Sequence, residues 1–373
     1  MSHWRTQVLM VGKYRLVASA RTQSRGARTP ARRGVVASAG RSSTGGSLLG
    51  LIQSSYAQTH RDAIEPNGCA AEVEHLNHTW ALRFALIDHK SSPTLARIGC
   101  GSFAAHTYPR APLRVVEIAA NLISWLFLFD DAWGEGGPTR DPAVMRALFE
   151  RIEAQLRGAP TGTTPFERAL ADLCARIAPS VDEGWRERFA DSIARYFDGC
   201  LLELPFRLAR RSPSTSEYRS LRRWSIGGFP VFDLIELTLD APLDEAMAKK
   251  SELRELRGRA AELCAWVNDI WSYEKELGED EDPLNLVAVL MHDRKLTLPH
   301  AFAAAAALYN DDLKAFLELR DQFAAEASTS ARELAYVDGL LTWVHGNHAW
   351  TQTSHRYREL ERVAQRHARG HFG

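Results

Sequence analysis

The most apolar part of the chain is a long segment, residues 113–131, that ends in two acids. Hydrophobic side chains fall on nearly every side of its helical projection, and a helix of this kind has to be enclosed by other elements. Its strongest stretch, 118–129, is shorter than the roughly 20 residues that a membrane-spanning helix needs. The segment therefore predicts a buried helix at the centre of a helical domain, and no membrane span.

From Pro66 onward, apolar residues recur at the spacing of amphipathic helices. The predicted helices cover residues 70–87, 94–102, 113–131, 141–158, 166–177, 182–208, 214–239 with a break at Gly227-Gly228, 243–279, 283–291, 297–307, 311–327 and 330–347. This part shows no period-2 strands, no alternation of strands and helices, and no glycine-rich phosphate loop. The predicted fold is all-α, a helical bundle around a central cavity.

The first 61 residues differ from the rest, because they contain ten Lys and Arg but no Asp or Glu. Such a segment cannot bury enough apolar surface to offset its chain entropy. We therefore expect a disordered basic tail over 1–60, a folded domain over 61–367 and a short C-terminal tail over 368–373. The same composition also fits an organelle transit peptide or a start codon assigned too far upstream, and these alternatives stay open.

Charge and cysteine usage narrow the functional classes. The formal net charge of the 373 residues is zero, whereas nucleic-acid-binding domains are usually basic, so we expect no nucleic-acid partner. The five cysteines are scattered and no pair has the spacing of metal ligands. This pattern is typical of reduced thiols in the cytoplasm.

Residues 268–276, Asn-Asp-Ile-Trp-Ser-Tyr-Glu-Lys-Glu, place three oxygen-bearing side chains four residues apart. Asn268, Ser272 and Glu276 therefore share one helix face. Hard oxygen ligands suit Mg²⁺ or Mn²⁺ rather than zinc or copper. Asp269 points off this face and is predicted to be structural. The alternative is an ordinary polar stripe on a helix.

A second acidic cluster, Asp130-Asp131-Ala-Trp-Gly-Glu135, closes the apolar segment. Adjacent carboxylates at the end of a buried helix are costly unless they are solvated, paired or bound to metal. A solvated helix end is the plain alternative for this cluster alone. Two acidic, helix-borne clusters together favour an enzyme that binds a diphosphate through metal ions.

These motifs resemble those of the bacterial class I terpene synthases. Asp130 to Glu135 fits that family's DDxxxE motif, and residues 268–276 match NDxxSxx(K/R)E at every defined position. Residues 218–227 match a YxxLRxxSxG pattern, and a Gly-Asn and a Trp precede the Arg356-Tyr357 pair. The resemblance spans about residues 64–365 in the family's order, and it implies the class I terpenoid synthase-type bundle around a central active-site cavity.

The resemblance also implies a role for each motif. Three Mg²⁺, with Mn²⁺ as an alternative, would neutralise the departing diphosphate of a prenyl diphosphate substrate. The implied metal ligands are Asp130, Glu135, Asn268, Ser272 and Glu276, although the glycines flanking Glu135 leave its metal binding open. The implied diphosphate ligands are Arg222, Lys275, Arg356 and Tyr357. Arg223 is the neighbouring alternative to Arg222, and spacing favours Arg222.

Two further expectations concern ionisation and the cation. By the same resemblance, the carbonyl of Ile226, at the Ser225–Gly228 helix break, would face the substrate, with Ser225 linking it to Arg222; a plain glycine kink is the alternative. Aromatic side chains would line a dry wall around the carbocation. The predicted wall residues are Phe127, Trp343 and Trp350, with Phe103 as the weakest candidate. Trp80 and Trp125 are predicted to lie in the core.

The function predicted is cyclisation of farnesyl diphosphate to a sesquiterpene hydrocarbon or alcohol, by a carbon–oxygen lyase. Geranyl and geranylgeranyl diphosphate remain alternative substrates, and a homodimer is a possible assembly. A prenyltransferase is disfavoured because a second DDxxD motif is absent, and a class II cyclase because DxDD is absent. An inactive helical binding protein is a further alternative, although every ligand type is intact.

The tail prediction is tested by removing residues 1–58. We expect the shortened protein to keep its melting temperature and its turnover, because the deleted segment carries none of the predicted site residues. Loss of folding in a thermal melt would contradict the disordered-tail interpretation.

Overall fold

A computed structural model of the protein describes residues 5–11, 14–20, 65–133, 141–279 and 283–356. The chain divides into two compact units, Met1–Ser47 and Leu48–Gly373. In the first, strands β1 (Arg5–Val11) and β2 (Tyr14–Ala20) pair antiparallel. Regular structure therefore occurs where the sequence predicted disorder. The rest of the predicted tails lies outside the described residues, so the proposed domain bounds remain a prediction.

In the second unit the described residues form α-helices joined by short loops. The helices are α1 (Ala70–Arg83), α2 (Ser92–Ile98), α3 (Cys100–Thr107), α4 (Leu113–Trp133), α5 (Pro142–Leu156), α6 (Pro165–Ile177), α7 (Glu183–Ala209), α8 (Thr215–Ser225), α9 (Gly228–Asp233), α10 (Glu245–Lys249), α11 (Ser251–Glu279), α12 (Leu286–Arg294), α13 (Leu298–Ala325) and α14 (Ala331–Thr353). Single 3₁₀ turns occupy Ala178–Ser180 and Leu234–Thr238. The all-α prediction is confirmed for this unit.

Local sequence sets where several helices begin. Thr164 and Ser330 each accept a hydrogen bond from the third residue of the helix that follows, and that residue is a Glu whose side chain bonds back. These capping boxes satisfy backbone N–H groups that have no partner within the helix. Pro142 and Pro165 occupy the first helical position, where the missing N–H costs nothing.

The predicted central helix is α4, which packs against α1, α3 and α6. Trp125 on α4 and Trp80 on α1 are buried, as predicted. The indole nitrogens of these two residues still find acceptors, because Trp125 donates to the carbonyl of Phe166 and Trp80 donates to Asp172. Among the described residues, no helix is both long enough and apolar enough to cross a bilayer.

The two helices predicted at 297–307 and 311–327 are in fact the single helix α13. The polar run Asn310-Asp311-Asp312 suggested a loop, but it contains neither Gly nor Pro. Asp312 instead faces inward, where it accepts hydrogen bonds from Arg219 and from the indole of Trp266. Buried partners on neighbouring helices therefore keep this turn helical.

The break predicted at Gly227-Gly228 is present between α8 and α9. Gly227 has a φ of 71°, in the left-handed region that favours glycine. The backbone of α7 passes close to this break, because a Cβ added at Gly199 would lie 2.5 Å from the backbone nitrogen of Ser225. Because residue 199 is a glycine, the backbone of α7 can pack directly against the backbone at the break.

Replacing that glycine tests this close approach. We expect Gly199→Ala to lower the free energy of unfolding by about 1–3 kcal/mol, the usual cost of overpacking, and to reduce turnover because the break must shift. Urea denaturation and steady-state kinetics measure the two effects. Gly68→Ala is the matched control, since no atom lies within 4 Å of its added Cβ. Equal behaviour of the two variants would contradict the prediction.

Candidate active site

One cavity brings together nearly all of the predicted site residues. Its empty volume is about 880 Å³, a figure that includes the open solvent at its mouth. The predicted residues that line it are Phe127, Asp130, Arg222, Ser225, Ile226, Asn268, Ser272, Lys275, Glu276, Trp343, Trp350 and Arg356. Glu135 and Tyr357 lie outside the described residues.

The predicted metal face of α11 is present as an ordered polar surface. The Ser272 hydroxyl donates to Glu276 Oε1, and both residues are buried. Asn268 Oδ1 accepts a hydrogen bond of 2.8 Å from Arg222. The spacing of four therefore places three oxygen donors on one wall of the cavity, as the sequence predicted.

Asp269 connects this face to α8. Arg222 donates to Asp269 Oδ1 from Nε at 3.0 Å and from Nη2 at 2.8 Å. Asp269 Oδ2 accepts from the Tyr218 hydroxyl at 2.6 Å and from the backbone N–H of Leu286 at 3.1 Å. Burial disfavours the charge on Arg222, but the facing carboxylate of Asp269 raises the pKa of Arg222 well above its ordinary value. Asp269 therefore holds the guanidinium in place and keeps it charged.

The predicted link between Ser225 and Arg222 runs through a third residue. The Ser225 hydroxyl donates to Glu203 Oε1, and that same oxygen lies 4.0 Å from Arg222 Nη1. Glu203 also accepts from Arg207 on its own helix, α7. The buried carboxylate of Glu203 therefore bridges Ser225 and Arg222.

The two acids at the end of α4 have different surroundings. Asp130 lines the cavity, whereas Asp131 accepts a hydrogen bond of 3.4 Å from Arg356. The Arg356 guanidinium also lies 4.7 Å from the centre of the Phe127 ring. Arg356 is thus held at the cavity wall by an acid and by an aromatic face.

Aromatic rings form the apolar wall. Phe103 and Trp350 stack with centroids 4.0 Å apart, and Trp343 lies 5.2 Å from Phe103. Phe127 completes the group at 6.0 Å from Trp350. Phe103, the weakest candidate by sequence, is therefore central to this wall because α3 packs against both α4 and α14.

Sequence reasoning missed several lining residues, including Tyr196, Cys264 and Asn347. Helical spacing could have identified Asn347, which lies four residues after Trp343 and three before Trp350 on α14. For Tyr196 on α7, the sequence alone indicates only an ordinary core position, since nothing in it marks which buried face meets a cavity.

A family model described as terpene synthase family 2, C-terminal metal binding, matches residues 121–315, just over half of the chain. The chain belongs to this terpene synthase family. The match includes α11 and the break between α8 and α9. The resemblance noted from the motifs, to bacterial class I terpene synthases, is thereby confirmed.

Curated relatives extend the match. This terpene synthase is 31% identical to a 10-epi-cubebol synthase of Sorangium cellulosum over 302 residues, 80% of this chain and 96% of that enzyme. It is 33% identical to a (+)-T-muurolol synthase of Roseiflexus castenholzii, named as cyclising (2E,6E)-farnesyl diphosphate, over 79% of this chain and 90% of that enzyme. The structure of germacradien-4-ol synthase from Streptomyces citricolor aligns with a TM-score of 0.67 at 27% identity, covering 78% of this chain and 98% of that one.

The Arg222–Asp269 pair can be tested by removing one charge. We expect Asp269→Asn to lower the free energy of unfolding by about 3 kcal/mol or more, because it leaves a buried guanidinium without its counter-charge. Urea denaturation measures this change. Asp240→Asn breaks the exposed Arg332–Asp240 pair and serves as the control, with stability expected to remain near wild type. A stable Asp269→Asn protein would show that the pair does not organise the site.

Proposed function

We propose that this terpene synthase ionises farnesyl diphosphate and cyclises the cation to a sesquiterpene hydrocarbon or alcohol, with release of diphosphate. The observation that carries the proposal is that oxygen ligands, guanidinium groups and an aromatic wall share one cavity. Relatives whose names specify farnesyl diphosphate or a sesquiterpene product support the fifteen-carbon substrate.

The donor chemistry of the cavity fits magnesium. Asp130, Asn268, Ser272 and Glu276 offer oxygen atoms to the same space, and oxygen is the ligand that Mg²⁺ prefers. Mg²⁺ commonly uses one or two protein carboxylates and takes its other ligands from water and phosphate. We propose that these four residues, with Glu135, hold three Mg²⁺, or alternatively Mn²⁺. Bound metal would neutralise charge on the leaving group.

The cationic side chains would bind the diphosphate itself. Arg222 and Arg356 offer forked donors that match phosphate oxygens, and Lys275 offers a point charge. Tyr357 would add a hydroxyl donor. Arg222 is already oriented by Asp269, so little side-chain entropy is lost when it engages the substrate. These groups would hold the leaving group while the C–O bond breaks.

The helix break would act at the other end of that bond. Ser225 and Ile226 line the cavity at the break, so we propose that the Ile226 carbonyl faces the allylic carbon as positive charge develops. Ser225 and Glu203 would fix the position of the break relative to Arg222. Binding of diphosphate at Arg222 would thus be coupled to the backbone that meets the cation.

The aromatic wall would then guide the cation. The faces of Phe127, Trp343 and Trp350 carry negative electrostatic potential, which attracts a positive carbon without supplying a nucleophile. Phe103 packs these rings together. An apolar wall also keeps water from capturing the cation early.

We further propose that the protein works in the cytoplasm, since all five of its cysteines are free thiols, as is typical of a reducing compartment. Assembly as a homodimer stays a prediction.

Incubation with geranyl, farnesyl and geranylgeranyl diphosphate in turn tests the function. We expect farnesyl diphosphate with Mg²⁺ to be consumed fastest, giving a cyclic fifteen-carbon product and free diphosphate, and a chelator to abolish turnover. Gas chromatography with mass spectrometry measures the products. Failure to consume any of the three would refute the proposal, and chain elongation with added isopentenyl diphosphate would favour a prenyltransferase.

Asn268→Ala tests the metal assignment in the same assay. The substitution removes one of the proposed oxygen ligands, so turnover should fall by about 100-fold or more, while the variant still folds. Unchanged turnover would remove Asn268 from the metal site.

A further inference from the structure

Asn285 lies just beyond the metal face and has no role assigned so far. It is fully buried, and it precedes α12 as its N-cap residue, where its Oδ1 accepts from the N–H of Val287 at 2.9 Å. A buried N-cap by itself is an ordinary structural role.

The amide nitrogen of Asn285 forms hydrogen bonds with α11. Asn285 Nδ2 donates to Glu276 Oε2 at 3.0 Å and to the backbone carbonyl of Asp269 at 2.8 Å. A side-chain amide has two N–H donors and one carbonyl acceptor, so each of these three groups of Asn285 forms a hydrogen bond. Because each bond fixes the others, the amide cannot flip without losing all of them.

This geometry gives the two oxygens of Glu276 different surroundings. Oε2 accepts from Asn285, whereas Oε1 accepts from the hydroxyl of Ser272, a residue that lines the cavity with Glu276. We propose that Asn285 is a positioning residue that fixes the Glu276 carboxylate so that Oε1 and Ser272 are presented together as metal ligands. This inference rests on the proposed metal-dependent function.

The bond to Asp269 extends the effect along α11. Asp269 is the residue that orients Arg222, and its carbonyl is held by the same amide that holds Glu276. One side chain therefore ties a metal ligand to the backbone beside the diphosphate ligand. Hydrogen-bond partners of metal ligands typically change metal affinity 10- to 100-fold when they are removed.

Two substitutions separate the cap from the metal role. Asn285→Ser keeps an oxygen able to cap α12 but is too short to reach Glu276, whereas Asn285→Ala removes both functions. We expect both variants to raise the half-saturating Mg²⁺ concentration for turnover at least about tenfold, with kcat recovering at high Mg²⁺. Only Asn285→Ala should show the additional fall in metal-free melting temperature that loss of the cap causes.

A second readout does not depend on turnover. Inorganic diphosphate at fixed concentration with increasing Mg²⁺ should raise the melting temperature of the wild type, and the midpoint of that rise should move to higher Mg²⁺ in both variants. Thr164→Ala removes the cap of α6, away from the cavity, and should lower the melting temperature without moving the midpoint. If Asn285→Ser did not fold, Asn285→Thr would carry the same comparison.

The outcomes distinguish the two proposals. If the wild type responds to Mg²⁺ and Asn285→Ser has the same midpoint, the positioning role is overturned while the metal-dependent function stands. If only Asn285→Ala shifts the midpoint, Asn285 acts through the helix cap alone. If the wild type itself shows no Mg²⁺ response in either readout, the proposed function fails and the inference fails with it.

Discussion

The site depends on one buried ion pair, between Arg222 on α8 and Asp269 on α11. A buried guanidinium without a counter-charge would be strongly unfavourable, so the pairing of Arg222 with Asp269 stabilises the contact between α8 and α11. The remaining oxygen of Asp269 accepts from Tyr218 and from the backbone at Leu286. The carboxylate of Asp269 thus joins Arg222 and the start of α12 to its own helix, α11.

The surrounding side chains divide the cavity by chemistry. Most of the oxygen and nitrogen groups come from α8, the C-terminal half of α11, the end of α4 and Arg356, while the rings of the aromatic wall come from α3, α4 and α14. Phe127 and Asp130 belong to the same last turns of α4, so a single helix contributes to both. In the proposed reaction, this arrangement would let charge be neutralised on one wall while another wall shelters the cation.

The spacing of residues along the sequence was enough to predict several of these features. The spacing of four in Asn268, Ser272 and Glu276 gave one helix face, and the structure has that face on the cavity wall. The interruption at Gly227 was also readable, because only a glycine readily adopts its left-handed backbone. The apolar segment ending at Asp130 correctly predicted a buried helix. Each of these features is local, so the sequence within a few turns was enough.

The sequence by itself determined the helices, the break and the types of ligand, since these follow from neighbours along one chain segment. Only the tertiary structure decided which distant groups meet. Glu203 bridges Ser225 and Arg222 because α7, at its residue Gly199, passes close to the helix break. Phe103 joins the aromatic wall because α3 packs against α14. Such contacts depend on how helices cross, and that is set by packing of whole surfaces rather than by local spacing.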